Sequence, residues 1–239
     1  MDKSHFNTFI FSNSDKIYHY VYCLVKDQEE ALDVVTLTIE ECWEKRKIFS
    51  HTDMIFVFKI ARKLAKLRVA KRKSKEFSDY ANNLADANPV LARFCSLTRD
   101  LSPLQAEVMC LRAMVRLSMD DISIVVEQGI NNVQSILAVV RKAIRARINP
   151  TNVVADLKTN EVLFKYYSGK SSLKDEEQLR LYFSRMDLSD ATGADRELFQ
   201  LFIKVGNAPM PTVCSDYLLQ KIKEIQERNW WSSLLNIFG

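Results

Sequence analysis

Apolar residues recur along this chain at steps of three and four, and almost nowhere in the strict alternation that marks a strand. The spacing predicts helices from about Phe6 to Val25 and from Asp27 to Lys47, then a loop through Phe49 to Asp53. In the next helix Phe56, Ile60, Leu64 and Leu67 can bury one side. Between Leu101 and Ile148 the punctuation is clear. Ser102 can cap a helix with Pro103 at its first position, Ser118 can cap another with Asp120 and Asp121 behind it, and Gly129 interrupts two apolar stretches. Further helices are expected from Val153 to Tyr167, Ser172 to Arg185, Asp195 to Val205 and Thr212 to Arg228, parted by the turns SGKSS and GNAPMPT. With only five Gly and five Pro, hairpin signals are lacking, and the expected fold class is all-α.

Loss of periodicity divides the 239 residues. A compact unit over 1–73 is followed by a linker over 74–98, where FSDYANNLADANP gathers Ser, Asp and Asn. A second unit spans 99–149, and a C-terminal helical region spans 150–239. Most of its aromatics, Tyr166, Tyr167, Tyr182, Phe183, Phe199, Phe202, Trp230 and Trp231, read as core.

A net charge of +4 hides a steep asymmetry. Basic residues from Lys45 to Lys75 face only Glu44 and Asp53, so the remainder of the chain is net acidic. Arg62, Lys63, Lys66, Arg68, Lys71 and Arg72 crowd the polar side of the helix that starts near Phe56, a field that attracts phosphates. The five cysteines stand alone, without CxxC pairs or His at ligand spacing, which argues against a zinc site, and no metal or other cofactor is expected. Isolated thiols and the lack of a signal-peptide pattern point to a reducing cytoplasm. No apolar run reaches the ~20 residues of a membrane span, so stable membrane insertion is not expected. Three scattered His, no Gly-rich phosphate loop and no nucleophile signature disfavour an enzyme.

Helix, Gly-containing turn, helix is the helix-turn-helix arrangement, whose second helix can enter a major groove. The order of parts, an acidic amphipathic helix, a basic aromatic helix, a linker and a helix-turn-helix, resembles an extracytoplasmic-function sigma factor over roughly Phe6 to Ile148. EALDVVTLTIEECWEKRKIF, MIFVFKIARKLAKLRVAKRK and LSPLQAEVMCLRAMVRLSMDDIS look like that family's conserved blocks, in order. The resemblance implies that the first unit binds core RNA polymerase and opens promoter DNA, and that the second binds the polymerase flap and the upstream promoter element. It assigns Asp33, Glu40, Glu41 and Trp43 to polymerase, Trp43 partly as core. Phe49, His51 and Phe56 would receive a flipped base, and Arg62, Lys63, Lys66 and Arg68 would hold the backbone as the strands part.

Two departures stand out. The family usually shows Gln and an acidic residue where this chain has Thr36 and Leu37. The recognition helix, Asn131 to Arg145, is apolar at its centre, QSILAVV, and Gly129 lies about two positions later than the usual turn glycine. Asn131, Asn132, Gln134 and Ser135 are left to read bases, with charge delayed to Arg141, Lys142, Arg145 and Arg147. Weak upstream recognition is expected, with targeting supplied by a partner, through Ile136, Val139 and Val140 unless these are core. VLFKYYSGKSSLKDEEQLRLYFS looks like the helical start of membrane-linked anti-sigma proteins of the iron-citrate-signalling type. Residues 150–239 are therefore expected to engage an anti-sigma regulator or a separate DNA-targeting protein, an RNA-guided DNA-binding protein among them. The rival reading is a sigma-like adaptor or decoy that does not initiate transcription by itself.

Overall fold

The computed structural model describes residues 2–47, 54–71, 88–148, 161–184 and 193–238, with side chains through 227. Among these residues every regular element is helical, so the fold is all-α. No helix among them is long and apolar enough to cross a membrane. The chain forms two compact units, one of Met1–Tyr80 with Pro209–Gly239 and one of Ala81–Ala208. The region expected as a separate C-terminal domain, 150–239, is thus divided between them, and the stretch expected as a linker, 74–98, contains a helix of the second unit.

The first unit opens with α1 (Lys3–Phe11) and α2 (Ser14–Val25), where one helix was expected from Phe6 to Val25. The break has a local cause: the Asn13 amide donates to the Phe9 carbonyl and the Ser14 hydroxyl to that of Phe11, so side chains take acceptors that a continuous helix would use. Asp27 caps α3 (Gln28–Glu44) by accepting from the Glu30 amide, and Glu29 and Glu30 suit its positive end. In α4 (Met54–Lys71) the buried stripe is not the expected one. Val57, Phe58, Ile60, Ala61 and Ala65 face inward, whereas Leu67 is 50% exposed and Phe56 and Leu64 are half-buried. The small Ala61 and Ala65 let α4 lie close against α2 and α3, and Phe58 meets Tyr20 edge-on at 5.1 Å, a distance suited to T-shaped rings.

The last helix, α12 (Thr212–Phe238), returns to this unit and packs on α3. Its Cys214, Leu218, Ile222 and Ile225 recur at helical spacing and are all buried. The Gln28 amide reaches the Cys214 sulfur at 3.5 Å, and the Gln226 amide donates to Asn7 at 2.6 Å. The side chains of Trp230 and Trp231 lie outside the described residues.

The second unit is built on α5 (Pro89–Leu97), α6 (Pro103–Cys110), α7 (Met119–Val126) and α8 (Ile130–Ile148). Ser102 with Gln105, and Ser118 with Asp121, form reciprocal capping boxes at the starts of α6 and α7. α6 widens into a π-helical stretch, Leu111–Val115, before Arg116 turns left-handed at φ 65°. α7 ends on Glu127 at φ 58°, while a side chain at Gly129 would meet nothing within 4 Å. The left-handed turn position therefore lies two residues before Gly129 and is filled by Glu127, which costs roughly 1 kcal/mol relative to glycine. Around these helices lie α9 (Glu161–Tyr167), α10 (Leu173–Ser184) and α11 (Gly193–Asn207). Phe183 and Phe199 stack at 5.0 Å, and Tyr166 sits 4.8 Å from Phe199. Among the described members of the expected aromatic core, Tyr182 is the exception, at 39% exposed.

Candidate nucleic-acid and protein interfaces

The basic helix α4 presents Lys59, Lys63, Lys66 and Lys71 to solvent, with Arg62 half-buried. Arg68, expected on the DNA backbone, instead reaches across to Asp33 of α3 at 2.5 Å, so each of these two candidates takes up the other's charge. Phe56 lies half-buried with the Lys45 ammonium 6.0 Å from its ring. Phe49, His51 and Arg72 lie outside the described residues.

On α3, Asp33 and Leu37 are exposed and Glu40 and Glu41 half-buried. Glu41 pairs with Lys45 one turn on. Trp43 is a core residue, 5% exposed, meeting Phe6 edge-on at 5.0 Å and covered by the Arg46 guanidinium at 3.9 Å. A groove of about 550 Å³ runs along this helix, lined by Asp33, Thr36, Leu37, Glu40 and Arg68 on one side and by Tyr217, Lys221, Glu224 and Ile225 of α12 on the other.

The expected recognition helix is α8. Asn131, Asn132 and Ser135 are exposed and Gln134 is half-buried, but the Asn132 amide donates to Gln128 at 2.7 Å and the Ser135 hydroxyl to the Asn131 carbonyl at 2.8 Å. Leu137 and Val140 are fully buried, Ile136 is half-buried and Val139 is 57% exposed, so Val140 is core and Val139 is the open member of the expected partner-facing set. Lys142 remains exposed.

Arg141 corrects the DNA-binding expectation most sharply. It is 0% exposed. Its guanidinium donates to the Tyr166 carbonyl at 2.7 Å, the Ser171 hydroxyl at 3.1 Å and the Glu176 carboxylate at 2.6 Å, and stacks on the Tyr166 ring at 3.9 Å. Arg112, from the π-helical stretch, binds the same Glu176 oxygen at 2.8 Å together with the carbonyls of Ser171 and Leu117. Burial works to raise the Glu176 carboxyl, but Arg141 and Arg112 outweigh it and hold the group below the usual carboxylate range. One turn on, Arg145 forms a forked pair with Asp195 at 2.8 and 3.2 Å, and the Tyr167 hydroxyl donates to that carboxylate as well. Arg147 is held by the Leu97 carbonyl and Asp100. Of the late cations of α8, Arg141 and Arg145 therefore point into the protein, whereas Lys142 and Arg147 lie at its surface.

The partners just named for Arg141 and Arg145 come from α9 to α11 and the turn after α9. Residues 160–208 match the family described as anti-sigma factor, N-terminal domain. The match covers well under half of the chain and ties it to sigma-factor regulation. No curated protein matches the chain. The anti-sigma-like segment touches α8 through backbone as well. At Gly169, φ 74°, an added Cβ would fall 2.0 Å from the Gln134 carbonyl oxygen, so only glycine admits this approach to α8.

Sequence reading missed Glu176, Ser171, Asp195 and Arg112 as partners. Arg112 carried a signal, a lone cation inside the apolar run VMCLRAMV, which requires a buried acceptor. Glu176 carried none, since KDEEQLR reads as a solvated face. Among the described residues no group of His, Cys, Asp and Glu could hold a metal ion.

Proposed function

We propose that this chain is a sigma-like transcription factor of the extracytoplasmic-function type, acting in the cytoplasm and without enzymatic chemistry of its own. In this reading the first unit binds core RNA polymerase through α3 and assists promoter opening through α4, whose exposed lysines neutralise phosphates as the strands part. The second unit does not read the upstream element unaided. The observation that carries this is the burial of Arg141 and Arg145 against the anti-sigma-like segment, which removes two cations from the helix that would face the groove. Every phosphate that α8 leaves unneutralised takes one counterion-release contribution away from the affinity. The few base-reading groups that remain, Asn131, Asn132 and Gln134, supply at most about two base pairings of ~1–3 kcal/mol. A separate DNA-bound protein then brings the complex to its promoters, and the exposed parts of 150–239 are its docking surface.

The match to the anti-sigma N-terminal family favours a second reading, a sigma-like regulator that engages the transcription machinery without initiating. Run-off transcription with core polymerase, with and without a DNA-bound delivery protein, separates the two. Transcripts that depend on the chain and on delivery support the first. Polymerase binding with no transcript on any template supports the second. Strong unaided initiation that upstream-element substitutions abolish overturns the role given to α8.

A further inference from the structure

We infer that Leu67 is an apolar wedge on the basic helix α4, set to cover the last base pair of a duplex where the two DNA strands part. The inference rests on the reading of α4 as the DNA-opening helix. It adds the DNA structure that this helix takes, a junction of duplex and single strands, and the side chain that recognises it.

The solvent side of α4 is not uniformly charged. Leu67 stands there 50% exposed, because the small Ala61 and Ala65 take the positions against α2 and α3. Lys63 precedes it by four residues and Lys71 follows it by four, both exposed, and residues at that step share one face of a helix. The face therefore reads cation, apolar side chain, cation, with the two lysine positions roughly 12 Å apart along the axis. Lys66, also exposed, adds a third ammonium beside them. Among the described residues none of these three lysines has an ion-pair partner, so their charge is available to a ligand. Phe56, expected to receive a flipped base, lies roughly three turns away, so Leu67 is a separate apolar contact.

Charge and shape together select the occupant. An intact duplex offers phosphates to the lysines, but its base faces are stacked away and it leaves Leu67 uncovered. A junction supplies both groups that this face asks for: phosphates on two diverging strands, and the open face of the terminal base pair. Leucine is among the side chains that enter base steps as apolar wedges. Lys63 and Lys71 stand far enough apart for each to hold a different strand, with Leu67 midway between them. Carried on a regular helix, the wedge keeps its place relative to both cations while the strands move.

The test uses the full chain, alone and with core RNA polymerase, and two DNA probes of one sequence, fully duplex or forked by a non-complementary single-stranded end. Affinity is measured at low and moderate salt for the parent, for Leu67→Ala, for Leu67→Met, and for Lys63→Ala combined with Lys71→Ala. All these positions are exposed, so thermal unfolding of each variant is expected to match the parent. The parent is expected to prefer the fork about tenfold, and Leu67→Ala to lose that preference while duplex affinity and its salt dependence stay as they were. Leu67→Met, which keeps the apolar bulk, is expected to retain the preference. The double lysine variant is expected to weaken binding to both probes alike and to flatten the salt dependence. If the parent binds fork and duplex equally in both forms, or Leu67→Ala keeps the preference, Leu67 is no wedge and the inference falls. If the double lysine variant leaves both affinities unchanged, the reading of α4 itself has failed, and the inference with it.

Discussion

Glu176 decides how the second unit holds together. It is a single buried carboxylate facing Arg112 and Arg141, with the Ser171 hydroxyl donating to it at 2.7 Å. Glu176→Gln leaves both guanidiniums buried without their counter-charge, and the expected destabilisation in urea denaturation is about 3–5 kcal/mol. In the first unit the buried His19 sets a pH dependence. Burial pushes its imidazole down to about 4, against the opposing pull of Asp15 and of a hydrogen bond with Pro209. The unfolded chain therefore takes up a proton near pH 6.5 that the folded chain refuses until about pH 4. The stabilisation is fully present above pH 6.5 and fades as pH falls through that window, a change of about 3 kcal/mol. His19→Asn is expected to flatten the slope of stability against pH between 4 and 6.5, read by denaturant titration at a series of pH values.

At the scale of elements, the turn after α9 is the tightest fit. Gly169→Ala brings a methyl group against the backbone of α8 and is expected to destabilise the second unit by about 3 kcal/mol, measurable as a lowered unfolding midpoint. On α4 the expected effect is on binding. Replacing Arg62, Lys63 and Lys66 with Ala should flatten the salt dependence of DNA affinity by about 0.9 in log–log slope for each phosphate no longer neutralised. An unchanged slope would show that this face is only solvated. Caps and turns made most helices legible beforehand, because Ser102, Pro103 and Ser118 act through neighbours within three residues. The orientation of α4 and α8 was not legible. On α4, Ala61 and Ala65 displaced Leu67 from the core by permitting close approach, and hydrophobicity alone cannot foresee that. On α8, Arg141 and Arg145 looked like surface cations because the carboxylates that bury them stand 35 and 50 residues further along the chain.

The whole molecule is interleaved rather than modular. A chain cut after Pro150 removes α12 from the first unit, uncovering the surface that Cys214, Leu218, Ile222 and Ile225 occupy, and leaves Arg112 and Arg141 of the second unit without Glu176. Such a truncation is expected to lower the stability of both units, seen as reduced helical signal and early melting in circular dichroism, so it cannot serve as a clean removal of a regulatory domain. The return of α12 to the first unit also bears on synthesis. α4 leaves the ribosome early, but Ile225 follows only after roughly 8–30 s at about 5–20 residues per second. Throughout that interval the apolar face of the α2–α4 bundle is bare on every nascent chain, open to chaperones and to wrong partners, and it is closed only once α12 has been translated.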